Sequence, residues 1–261
     1  MLILKNIFIL SLILSSFVCK KLLADEPEEK SQKKDSELEI GLYLMTSNPL
    51  YVSTKRRFLP IPFVSGSSSQ FYAQGTEAGY VFNPRSQIKF KVYLSADAQT
   101  LNPNDSPSLN GIRERGFLGF AGVKASLSFL PFQSSLSLEQ EILFRAKGQR
   151  AQLKISGSLP FLRKDFDIEP SALLVWTSQK VNHYYYGVSE SEASSSIFEQ
   201  YKPSSSLTPY LGLWIMTNNL KPWGLGVNYL LGFLSKTVQE SPLVNKTTSG
   251  SFLFYASYTF K

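Results

Sequence analysis

The chain holds one cysteine, Cys19, and one histidine, His183, in 261 residues, and only 18% of those residues are charged. Beyond the first two dozen residues, no apolar run reaches the roughly 20 residues that a membrane-spanning helix needs. Each shortage excludes a class of chemistry. A lone cysteine closes no intrachain disulfide and supports no thiol pair. His183 stands beside Tyr184, Tyr185 and Tyr186 without clustered ligands or an orienting group, so it reads as a surface or interfacial residue. It is neither a metal ligand nor the base of a hydrolase. No glycine-rich loop leads from a strand into a helix, which leaves nucleotide use without support. No cofactor, metal or catalytic residue is expected, and the chain is read as a non-enzyme.

The amino terminus accounts for the cysteine. Residues 1–24 read as a signal peptide: Lys5 in a short charged start, an apolar core over 7–18, and Leu22-Leu23-Ala24 before a cut at Asp25. About twelve apolar residues are too few to span a bilayer. Cleavage there would remove Cys19, Lys5, Lys20 and Lys21, lowering the net charge from +7 to +4. So small a surplus, with no basic cluster among aromatics, gives no case for nucleic acid. Residues 25–36 (DEPEEKSQKKDS) are charged and nearly free of apolar side chains, the composition of a disordered periplasmic tail. Residues 37–261 form the remaining domain.

What the chain has in plenty is aromatic residues and alternation. Phenylalanine and tyrosine together number 32. In residues 223–233 every odd position is large and apolar (Trp223, Leu225, Val227, Tyr229, Leu231, Phe233), while the even ones are Gly224, Gly226, Asn228, Leu230 and Gly232. A period of two puts these on opposite faces of a strand. Eleven residues exceed the usual soluble strand and match the 9–11 of a tilted transmembrane strand with aromatic girdles. The same alternation recurs from residue 38 onward. It weakens over 58–64, where Pro60 and Pro62 intervene, and over 71–82, which Gly75 and Gly79 break.

Charge sorting decides between a barrel and a soluble sandwich. In the central strands Lys89, Lys91, Lys124, Glu139, Glu141, Lys154, Asp165, Asp167 and Glu169 all fall on the non-apolar face. A lysine facing lipid at mid-bilayer costs roughly 2–4 kcal/mol, so these nine are candidate lumen-facing residues. Opposite charges on neighbouring strands are expected to pair inside, the acidic groups with Lys154 and Lys124. The expected fold is all-β: a single transmembrane antiparallel up-and-down barrel of about 10–12 strands, with 12 favoured, in the outer membrane of a Gram-negative-type bacterium. Eleven candidate strands are visible, and an even count requires that one weak segment near 58–82 be lost or be two strands. Segments 96–114, 179–205 and 235–250 should then be outer loops. Within the second, Ser189 and Glu192 match a capping box, which predicts a short helix from Ser189 to about Ile197.

Several short stretches are similar to the MipA/OmpV (MltA-interacting protein) family. Tyr185-Tyr186-Gly187-Val188-Ser189 followed by Glu192-Ala193 resembles its Tyr-(Tyr/Phe)-Gly-Val-Ser segment. Leu59-Pro60-Ile61-Pro62 resembles its early Leu-Pro-(Leu/Ile)-Pro, and Ser241-Pro242-Leu243-Val244 its loop ending in Ser-Pro-(Ile/Leu)-Val. The chain departs from the family in lacking Gly-Leu-Pro over 196–201 and in ending on Lys261 rather than an aromatic. The resemblance spans about 38–260. It implies an outer-membrane scaffold that brings a lytic transglycosylase (a murein hydrolase) and a penicillin-binding protein (a synthase) together in peptidoglycan maintenance. The alternative from the charged face alone is a small channel for ions or small solutes.

Overall fold

A chain whose strands each have one apolar and one polar face must cover both, and in a bilayer it must also pair every backbone group within itself. A closed sheet satisfies both demands. In the computed structural model, which describes residues 38–56, 58–67, 70–83, 86–159, 165–217 and 219–260, twelve antiparallel strands close into one barrel in chain order. The expected signal peptide and tail lie outside the described residues.

The strands are β1 (Leu38–Ser47), β2 (Phe58–Ser67), β3 (Phe71–Gln74), β4 (Glu77–Phe82), β5 (Ile88–Ala96), β6 (Gly119–Phe129), β7 (Phe132–Glu141), β8 (Gln149–Gly157), β9 (Phe166–Thr177), β10 (Ser206–Thr217), β11 (Trp223–Phe233) and β12 (Thr248–Phe260). β1 closes the barrel on β12, in register from Leu38↔Phe260 to Ser47↔Ser251. The apolar faces point outward: Leu42, Phe90, Val123, Leu136, Ile155, Leu211, Trp223 and Phe254 are all exposed. Such a band is stable only against hydrocarbon. No helix among the described residues is long and apolar enough to cross a membrane.

The twelfth strand comes from the weak segment. Residues 71–82 are two strands, β3 and β4, joined by a tight turn in which Gly75 takes φ +60. A left-handed backbone suits glycine, which carries no Cβ. This hairpin is short, and among the described residues β2 pairs with β3 at Gly66↔Ala73 and Ser67↔Tyr72. By contrast β9 and β10 pair at twelve positions. Pro60 and Pro62 fall on the part of β2 beyond the reach of β3. A proline has no N–H to leave unpaired at such an edge.

Several element ends differ from the sequence-based expectation. Phe117 precedes β6 and Phe144 follows β7, although the alternation runs through both. Phe144 lies in the left-handed region at φ 59. The predicted helix begins after Ser189 but stops at Ser195, because Ser196 is already extended. Further short elements lie in the outer loops: helices over Gln179–Tyr186 and Lys236–Gln239, and single 3-10 turns over Pro103–Asp105 and Pro107–Leu109. We label the α-helices α1 (Gln179–Tyr186), α2 (Glu190–Ser195) and α3 (Lys236–Gln239) in chain order. Three successive tyrosines in α1 favour strand by propensity, and tertiary packing overrides them.

Candidate functional site: a packed cap above a charged interior

The long loops all leave one end of the barrel, and that end carries the protein's buried apolar core. Tyr51, Leu101, Leu109, Ile112, Val188 and Leu243 pack together, although they come from four separate loops. A second cluster sets Val181 and Tyr185 of α1 against Leu118 and Phe120. With the wall's apolar face given to lipid, burial of apolar surface from water is concentrated in this cap.

Arg115 ties the cap together. Its side chain is 2% exposed, and its guanidinium donates to the carbonyls of Tyr185 (2.6 Å) and Gly187 (2.8 Å) and to the Glu192 carboxylate (3.0 Å). An arginine fork suits this task because its donors diverge in one plane. Glu192 in turn accepts the backbone N–H of Arg113 and of Ser189, completing the capping box that starts α2. Burial opposes ionisation of Glu192. The hydrogen bonds from Ser189 and Arg113 and the charge of Arg115 outweigh it, holding the carboxyl down at about 2.

A phenol cluster sits beside this ion pair. Gln99 donates through Nε2 to the hydroxyls of Tyr51 (3.0 Å) and Tyr186 (3.1 Å), Tyr51 donates to the carbonyl of Tyr185, and Ser241 donates to that of Tyr186 (2.7 Å). Burial pushes the Tyr51 phenol up to about 12 and raises Tyr185 and Tyr186 as well, so all three stay protonated. Burial lowers His183, and the nearby positive charge of Arg115 adds to that, favouring the neutral ring. The loop motif Tyr185, Tyr186, Gly187, Val188, Ser189 and Glu192 is therefore brought together around Arg115 and the Val188↔Tyr201 bridge.

Below the cap, the inner face carries a chain of charge. Glu139 accepts from Arg150 (2.6 Å), Gln152 (2.9 Å) and Tyr93 (3.0 Å), and Arg150 also reaches Asp97 (3.1 Å) while lying over the Phe120 ring. Lys124 bonds both oxygens of Glu77, at 2.9 and 2.7 Å, and Tyr72 donates to the same carboxylate. Lys91 and Lys124 are directly opposite in register, which alone would be repulsive. Glu77 relieves it, as do the faces of Tyr72 and Tyr93 over which the two ammonium groups lie. Around β12, β1 and β2 the interior is aromatic instead. Tyr43 stacks on Phe63 at 4.1 Å, and Tyr255 and Ser257 donate to Glu39.

The nine charges singled out from sequence do not act alike. Lys154 meets Glu169 at 3.7 Å. Lys124 pairs with Glu77 and Glu139 with Arg150, partners that alternation did not supply. Lys89 is opposite Ser126, and Asp167 is opposite Met216. Two of the nine lie at the ends of the wall. Glu141 accepts the backbone N–H groups of Leu143, Ala146 and Lys147 and so shapes the β7–β8 loop, and Asp165 accepts from Asn219 at the short-turn end. Sequence periodicity misses Glu77, in the glycine-broken stretch, Asp97 and Arg150, at strand ends, and Arg115, in a loop without alternation. Among the described residues no cluster of His, Cys, Asp and Glu has the makings of a metal site.

Comparison with known proteins agrees with this architecture. The family model described as MltA-interacting protein MipA matches residues 40–260. The chain is 24% identical to the MltA-interacting protein of Escherichia coli (strain K12) over 214 residues, covering 77% of this chain and 81% of that protein. It is 22% identical to a putative outer membrane protein, YiaT, of Escherichia coli O157:H7 over 233 residues, covering 86% and 92%. It is 26% identical to a 24 kDa outer membrane protein of Pasteurella multocida (strain Pm70) over 238 residues, covering 83% and 88%. The lipid-facing barrel and these relatives place the protein in the outer membrane. With 40–260 matched, the chain belongs to the MltA-interacting protein MipA family.

Proposed function

We propose that this protein is a non-enzymatic outer-membrane scaffold that brings a murein hydrolase and a murein synthase together in peptidoglycan maintenance. A relative named for its interaction with MltA supports the hydrolase arm. The observation that carries the reading is at the short-turn end. Leu130, in the two-residue turn between β6 and β7, is 98% exposed, and Leu220 between β10 and β11 is also exposed. Chain ends and short turns of such barrels face the periplasm. An exposed apolar side chain on such a turn offers a periplasmic partner apolar area to bury. Packing of four loops into one cap at the outer end favours a scaffold over an open channel. The test is affinity capture of the detergent-solubilised chain from envelopes. Recovery of a lytic transglycosylase and a penicillin-binding protein, both reduced by Leu130→Asp, is expected. Repeated captures that recover neither would sink the reading.

A further inference from the structure

At the outer rim, the edge of the packed cap leaves an open surface. Arg113, Glu114, Gly116, Arg145 and Tyr184 line an open cavity of about 450 Å³ between the β5–β6 loop, the β7–β8 loop and α1. We propose that this cavity holds the phosphate of a phosphorylated glycolipid of the outer leaflet, with the lipid's acyl chains lying down the barrel wall beneath it.

Three observations support this occupant. First, the cavity is lined by two arginines against one acidic residue, Glu114, and Lys147 adds a further positive charge in the same loop as Arg145. Arginine forks match the geometry of phosphate oxygens. Second, the lining residues Gly116 and Arg145 each adjoin an exposed aromatic residue in the chain. Phe117 is 47% exposed and Phe144 76%, and the Arg145 guanidinium lies over the Phe117 ring at 5.0 Å. A ligand that met both the arginines and these rings would be anionic at its head and apolar beside it, which describes a phosphorylated lipid and not a free anion. Third, the loop is held in this pose from within. Glu141 accepts three of its backbone N–H groups, Phe144 and Lys147 both take left-handed φ (59 and 53), and Arg145 donates to the carbonyl of Phe117 at 2.8 Å. The Tyr184 hydroxyl donates to the Gly116 carbonyl, fixing the back of the cavity.

The inference rests on the membrane placement and is independent of the scaffold reading. Its test is a lipid titration of the detergent-solubilised full chain, followed by native mass spectrometry. The probes are a bisphosphorylated hexa-acyl glucosamine disaccharide, the same lipid without phosphates, and inorganic phosphate. The bisphosphorylated lipid should bind at least tenfold more tightly than the dephosphorylated one. That preference should be lost in Arg113→Ala/Arg145→Ala and kept in Lys236→Ala, which changes a charge elsewhere in the cap. Arg113→Glu alone should also lose it, which guards against misfolding from the lost Arg145–Phe117 bond. Equal binding of the two lipids, an unaffected double variant, or inorganic phosphate binding as tightly as the lipid would each overturn the proposal.

Discussion

Arg115 and Tyr185, seventy positions apart, are joined by a 2.6 Å hydrogen bond from the guanidinium to the tyrosine carbonyl, inside a cap where the arginine is almost wholly buried. Through that bond and its neighbours to Gly187 and Glu192, the β5–β6 loop holds the β9–β10 loop in place.

Replacing Arg115 by alanine takes a charged donor from a buried carboxylate and from two carbonyls at once. Losing one partner of a buried ion pair costs about 3–5 kcal/mol. The barrel wall gains its order elsewhere, so the expected phenotype is local. Limited proteolysis of Arg115→Ala should cut residues 97–118 and 178–205 much faster than in the parent, while the wall keeps its heat-modifiable mobility on gels. Equal cutting rates would show that Arg115 does not hold the cap.

Acidity should loosen the same cap in a defined window. The Glu192 carboxyl titrates near 2 when folded, below its ordinary 4.5. A depressed folded pKa adds stability that is fully present above the unfolded value and is lost as pH falls through the folded one. Cap stability should thus be flat above about pH 5 and should fall between roughly 4.5 and 2. Glu192→Gln should flatten that fall, as read by proteolysis or tyrosine fluorescence across pH. A variant that keeps the parent's full acid response would place the titrating group elsewhere.

The seam between β2 and β3 should be the first part of the wall to open. Among the described residues two registered pairs hold it, against twelve between β9 and β10. Local opening is easiest where the fewest backbone bonds must break. In hydrogen exchange, amides of β2 and β3 should exchange well before those of β9 and β10. A Gly66→Cys/Ala73→Cys pair, oxidised across the register, should slow that exchange. Uniform protection around the barrel would refute the weak seam.

Conductance separates the scaffold from the channel. With the cap intact the chain should be silent in planar bilayers. A steady conductance that Lys89→Glu alters would replace the scaffold reading by a small channel lined by Lys89, Lys91, Lys124, Glu139 and Asp167.

Alternation is a local property, and everything that depends on it alone is legible in the linear chain: the strands, their outward apolar face, and the single face that holds Lys91, Lys124 and Glu139. Ser189 and Glu192 likewise announce a helix start, because a capping box is complete within four residues. Contacts between distant segments leave no such periodic trace. That Lys124 meets Glu77, that Arg150 meets Glu139, and that residues 71–82 turn back on themselves at Gly75 emerges only in the folded barrel. The same holds for the three-tyrosine stretch of α1, which becomes helical because the cap buries Tyr185 and Arg115 bonds its carbonyl. A hydrophobic period selects the face a residue shows to lipid. Which partner it finds on the other face depends on strand order and loop packing, and those are set when the ring closes.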